Sequence, residues 1–116
     1  MKERLQANAA MVIEQLRPVS KMDFGYNRQS VEWLESYIER LRQSGQLDSE
    51  DARNKLSGVF GSFLGECVAR CYGGEWMEED GMWNVVFSPG NAVFPFGKTM
   101  SQMENGLEDG IVSAGS

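Results

Sequence analysis

The chain has 116 residues, 41% of them hydrophobic and 24% charged, with no histidine and a net charge of −6. That length supports one core and is too short for two ordinary domains. No apolar run approaches the ~20 residues of a membrane helix, and Met1-Lys2-Glu3-Arg4 opens no signal-peptide core, so a cytoplasmic protein is expected.

Residues 2–17 read as a first helix, with Leu5, Ala9, Val12, Ile13 and Leu16 at three- and four-residue steps. Pro18 is expected to stop it, because a proline pushes the residue before it out of the α region. The stripe is narrow and alanine-rich, which suits loose docking or a partner-facing arm. Residues 18–29 are a connection whose Met22, Phe24 and Tyr26 are expected to pack on the core. Asn27 or Ser30 can cap a second helix carrying Val31, Leu34, Ile38 and Leu41, with Trp33 and Tyr37 widening its stripe. Ser44-Gly45 ends it.

Asp48 is a natural cap for a third helix from Ser49 to about Tyr72, with Glu50 and Asp51 favouring its dipole. Its apolar stripe, from Ala52 through Leu56, Phe60, Phe63 and Leu64 to Cys71, is broad enough for the central core element. Gly58, Gly61 and Gly65 each cost up to roughly 1 kcal/mol of helix propensity, so close approach of another backbone is expected there. Gly73-Gly74 supplies a left-handed cap.

The period then changes. Trp76 to Glu78 and Trp83 to Phe87 read as antiparallel strands around a Glu79-Asp80-Gly81 turn. Ser88-Pro89-Gly90-Asn91 is a second turn, Ala92 to Phe94 a third strand with Pro95 at its end, and Lys98 to Glu104 a short helix stopped by Asn105-Gly106. The tail from Glu108 to Ser116 is expected to fray. The fold class is α+β: N-terminal helices packed on a small antiparallel three-stranded meander, with a short C-terminal helix. One domain spans 1–116, with residues 1–18 as a peripheral first helix, a core over 26–110 and a tail over 111–116.

The absences limit the chemistry. Without histidine the commonest general base is missing, and Ser-His or Cys-His catalysis is excluded. No phosphate-binding glycine loop is present, because Gly73-Gly74 leaves a helix rather than opening one. Cys67 and Cys71 read as two small buried hydrophobes, poorly disposed for a disulfide and too few for zinc. Glu78, Glu79 and Asp80 are adjacent hairpin residues that do not converge as a metal cage. No catalytic residue, metal or cofactor is expected.

Charge is uneven along the chain. Residues 1–72 balance ten bases with ten acids, whereas residues 73–116 set Glu75, Glu78, Glu79, Asp80, Glu104, Glu108 and Asp109 against Lys98 alone. Such a surface repels phosphate backbones and anionic lipid, so neither nucleic acid nor membrane is an expected partner. The plain alternative is that acidic turns merely keep a small protein soluble.

Glu66 is the sharpest candidate for a binding group. Either it forms a surface pair with Arg70, four residues on, or it lies under the sheet and receives Lys98 or a backbone amide. Alternation puts Trp76 on one sheet face and Glu75 and Met77 on the other. Trp76, Trp83, Phe94 and Phe96 are mostly core, and one or two half-exposed rings beside Arg70 or Lys98 would make a recognition pocket.

The order Leu64-Gly65-Glu66, Gly73-Gly74-Glu75-Trp76, Phe94-Pro95-Phe96, Lys98 and Glu104-Asn105-Gly106-Leu107-Glu108-Asp109 resembles a bacterial family of uncharacterised domains. Ser30-Val31-Glu32-Trp33-Leu34 resembles that family's entry helix. The resemblance covers roughly residues 26–110 and implies a small α+β domain, with no activity or catalytic residue.

The favoured function is a small acidic non-enzymatic binding protein of immunity or inhibitor type, holding a basic protein partner. Its candidate binding residues are Glu66, Arg70, Glu75, Trp76, Glu78, Glu79, Asp80, Phe96 and Lys98. The alternative is a small-ligand or peptide sensor, with a pocket between central helix and sheet lined by Glu66, Arg70, Trp76 and Lys98. A third reading is a homodimer that pairs the first helix between two copies.

Overall fold

The computed structural model describes residues 2–88, 91–106 and 110–111. Its elements are α1 (Lys2–Ser20), α2 (Arg28–Gln43), α3 (Glu50–Tyr72), β1 (Glu75–Glu79), β2 (Met82–Ser88), β3 (Asn91–Val93) and α4 (Pro95–Asn105). The strands form one antiparallel sheet in the order β1-β2-β3, so the chain is α+β with three helices ahead of the sheet and a short one after it. The expected turn at Pro89-Gly90, the Leu107-Glu108-Asp109 part of the family pattern and the tail from Val112 lie outside the described residues.

Helix α3 is the axis of the molecule. An unbroken run from Phe60 to Val68 is buried, and α1, α4 and the sheet all pack against it. Helix α1 contributes a fully covered stripe of Leu5, Ala9, Val12 and Leu16 to the core. Pro18 does not stop that helix, which runs on to Ser20. Pro18 and Glu14 are both exposed, so the Glu14 carbonyl that loses its N–H partner can turn to water. Lys21, at φ +56°, ends the helix by donating to the Arg17 carbonyl at 3.1 Å.

The connection after α1 packs as expected, with Phe24 wholly buried. Its ring stacks on Phe63 at 5.1 Å and meets the edge of Trp33 at 5.7 Å. Burying a side chain of that size stabilises the fold by about 1.5–3 kcal/mol. Arg17 fastens the loop by donating to the Phe24 carbonyl at 3.1 Å. Asn27 is the α2 cap, accepting from the Ser30 N–H at 2.8 Å; Ser30 itself is buried and accepts from Gly25. At α3 the cap is Ser49 rather than Asp48. The Asp48 backbone N–H closes the preceding turn by donating to the Gly45 carbonyl at 3.3 Å, and Ser49 Oγ accepts from the Ala52 N–H at 3.1 Å.

Gly73 caps α3 in the left-handed conformation, at φ +76°. Gly74 serves packing instead, since a Cβ there would lie 2.6 Å from Val85 Cγ1. Asp80 and Gly81, at φ +53° and +79°, make the two-residue turn between β1 and β2. Helix α4 begins at Pro95, three residues before the expected Lys98. Proline suits a first helical position because its missing N–H would have no helical partner. Gln102 then pins this helix: Nε2 donates to the Glu35 carbonyl at 2.8 Å, and Oε1 accepts from Ile111 N–H at 3.0 Å. Ile111, expected in the tail, is thereby buried in the core.

Candidate binding site

The structure separates the candidate residues into two places. Glu66, Arg70, Trp76 and Phe96 meet at the seam of α3, β1 and α4. Glu75, Glu78, Glu79 and Asp80 are exposed on the β1–β2 hairpin. Lys98 lies half-buried in the first turn of α4, where its backbone N–H donates to the Phe94 carbonyl at 2.9 Å.

At the seam Glu66 is 3% exposed, so it is buried as the second alternative has it, yet it keeps the Arg70 pair of the first. Oε1 accepts from Arg70 Nε at 2.8 Å and Oε2 from Trp76 Nε1 at 2.9 Å. The second donor is an indole where Lys98 or a backbone amide is expected, because Gly65 lets the ring in. A Cβ on Gly65 would fall 2.1 Å from Trp76 Cη2, and one on Gly61 would fall 2.5 Å from Phe96 Cδ1. The close approach that these glycines predicted is therefore made mainly by rings rather than by another backbone. Gly58 receives nothing within 4 Å.

Trp76 and Phe96 meet at 6.0 Å between ring centroids, and the Arg70 guanidinium lies 4.2 Å over the Tyr26 ring. The hydrogen bond from Glu66 holds the Arg70 pKa above its ordinary value. Burial raises that of Tyr26, partly offset by the Arg70 charge. Both Glu66 oxygens are engaged and the indole fills the space beside Gly65. The seam is a locked joint between helix and sheet.

The hairpin is different. Its register pairs Glu75 with Val86, Met77 with Asn84 and Glu79 with Met82, so these six share one face. Trp76, Val85 and Val93 occupy the inner face; Phe94, next in the chain, alternates to the outer one beside Asn84. Met77, Met82 and Phe94 are 50%, 58% and 53% exposed around a buried Asn84. These are three of the six large apolar side chains that the described residues leave exposed. Glu75 and Glu79 flank them, and residues 73–97 contain no lysine or arginine.

This outer face was only partly legible in the sequence. Alternation from Trp76 already turned Met77 outward. Met82 carried no signal until its register opposite Glu79 was known, and Phe94 read as core because aromatic residues at strand spacing usually are. Comparison of the chain with protein-family models, curated proteins and solved structures returns no match. Among the described residues no helix is long and apolar enough to cross a membrane.

Proposed function

We propose that this protein is a non-catalytic binding module of immunity or inhibitor type that covers a basic, partly apolar surface on a protein partner. The contact surface is the outer face of the sheet. The observation that carries this reading is the setting of half-exposed Met77, Met82 and Phe94 among acidic side chains with no base between residues 73 and 97. Methionine is unbranched and polarizable, so such a patch adapts to an apolar surface, and the acids select a cationic rim around it. The missing histidine and the fully engaged Glu66 support binding rather than chemistry.

The test uses fluorescence anisotropy with an amphipathic peptide of alternating lysine and leucine, beside its glutamate–leucine counterpart. The lysine peptide should bind and weaken at least about tenfold as salt rises through the screening range. Met77→Ser with Met82→Ser should weaken it further, by about tenfold. Binding insensitive to salt and to both substitutions, or equal binding of the glutamate peptide, would overturn the reading.

A further inference from the structure

Strand β1 is an edge of the sheet, paired with β2 on one side only. Its register shows which main-chain groups that leaves over. Glu79 and Met82 close the two-residue turn of Asp80 and Gly81, so they are a hydrogen-bonded pair. Bonded and non-bonded pairs alternate from there. Met77 with Asn84 and Glu75 with Val86 exchange bonds, whereas Glu78 opposite Trp83 and Trp76 opposite Val85 do not. The N–H and C=O groups of Trp76 and Glu78 therefore point away from β2, four along one edge. Among the described residues no backbone hydrogen bond outside the ladder reaches either residue. Helix α3 meets β1 through the Trp76 ring on the inner face, and Glu75, Met77, Glu78 and Glu79 along the strand are exposed.

We infer that this edge is a docking site for an extended, basic segment of the protein partner, which adds to the sheet as an antiparallel fourth strand. The inference rests on the proposed partner-binding role and adds the main-chain geometry of the contact. An open row of backbone donors and acceptors is a template for one more strand. Charge decides which strand. Glu75, Glu78 and Glu79 stand along β1, and residues 73–97 contain no lysine or arginine. The same charges disfavour a second copy of this chain. The antiparallel register that uses all four groups would set Glu75 opposite Glu79 at both ends of the pair, where like charges repel. A segment with a basic residue at each of those two places is attracted instead. Between them, opposite Met77, an apolar residue continues the outer face.

A short strand can separate the edge from the face. Acetyl-lysyl-threonyl-valyl-threonyl-lysine amide, laid antiparallel to β1 with its valine opposite Met77, sets its lysines opposite Glu79 and Glu75. Its threonines then fall opposite Glu78 and Trp76, with their N–H groups facing β1. The N–H groups of the valine and the last lysine face away. N-methylation of both threonines removes the two bonds donated to β1. N-methylation of the valine and the last lysine adds the same two methyl groups and removes neither bond.

Binding is followed by ¹⁵N NMR of the full chain. The parent strand is expected to move the backbone N–H resonances of Trp76 and Glu78 more than those of Met77 and Glu79, which already face β2. The threonine-methylated isomer should bind at least about tenfold more weakly than the other isomer, as loss of two hydrogen bonds does. Glu78→Pro removes an N–H that the ladder does not use and should abolish binding of the parent strand. The two isomers are compared on the unaltered chain, so they decide the matter even where that variant folds poorly. A diglutamyl strand should bind at least about threefold more weakly than the parent. Equal binding of the two methylated isomers overturns the site, as do unmoved Trp76 and Glu78 resonances at millimolar parent strand. Equal binding of the diglutamyl strand overturns the basic occupant. The two readings fail separately: the lysine–leucine peptide reports on the Met77 and Met82 side chains, and the methylated pair on the main chain of β1.

Discussion

Oε2 of Glu66 accepts the indole N–H of Trp76 at 2.9 Å, and that bond ties the central helix to the first strand across the buried seam. Arg70 holds the other oxygen from a position 55% exposed. Trp76→Phe leaves a buried carboxylate oxygen without its donor and should destabilise the protein by about 1–3 kcal/mol. Arg70→Met removes the other donor and the counter-charge of the same buried carboxylate and should also destabilise by at least about 1 kcal/mol. Urea denaturation of the two variants measures both losses, and a variant as stable as the parent would contradict this account of the joint.

The helical glycines separate into two kinds. Gly65→Ala drives a methyl group into the Trp76 ring and should cost at least about 1–3 kcal/mol through forced repacking. Gly58 faces open space in the middle of the same helix, so Gly58→Ala should stabilise by about 0.5–1 kcal/mol. Thermal unfolding of both variants should move the midpoint in opposite directions.

Stability should fall in alkali. Burial, followed by the neighbouring Cys71, pushes the Cys67 thiol well above its ordinary range. A raised folded pKa means that the unfolded chain loses the proton first. The contribution is whole below about pH 8.5 and declines by about 1.4 kcal/mol per pH unit above it. Tyr26, also raised, adds to the decline above about pH 10. Urea midpoints between about pH 8 and about pH 10 should flatten in Cys67→Ala; an unchanged slope would locate the effect elsewhere.

The hairpin turn allows charge and fold to be separated. Asp80 sits at φ +53°, a conformation that asparagine tolerates well. Asp80→Asn should leave the unfolding midpoint unchanged or raise it, while weakening binding of the lysine–leucine peptide at low salt. A drop in stability would show that the carboxylate is needed for the turn.

Much of the architecture was legible in the residues. The spacing of Val31, Leu34, Ile38 and Leu41 marked one helix, Gly73-Gly74 marked the exit of the next, and Asp80-Gly81 marked the hairpin. The ends of elements were less so. Pro18 broke the expected rule because its face is turned to water, and the cap of α3 fell one residue on, at Ser49, a shift of the size that local signals leave open at helix ends. Gly61 and Gly65 announced close approach, but only the fold named Phe96 and Trp76 as the groups that approach.

Local composition and period determined helices followed by strands, an acidic second part with a single lysine, and the exclusion of histidine chemistry. These depend on neighbours along the chain. Tertiary structure alone decided that Glu66 is held by an indole, that Gln102 brings Ile111 into the core, and that Met77, Met82 and Phe94 form one exposed face. Each of those facts depends on strand register or on which side chain fills a gap, and residues far apart in the chain set both.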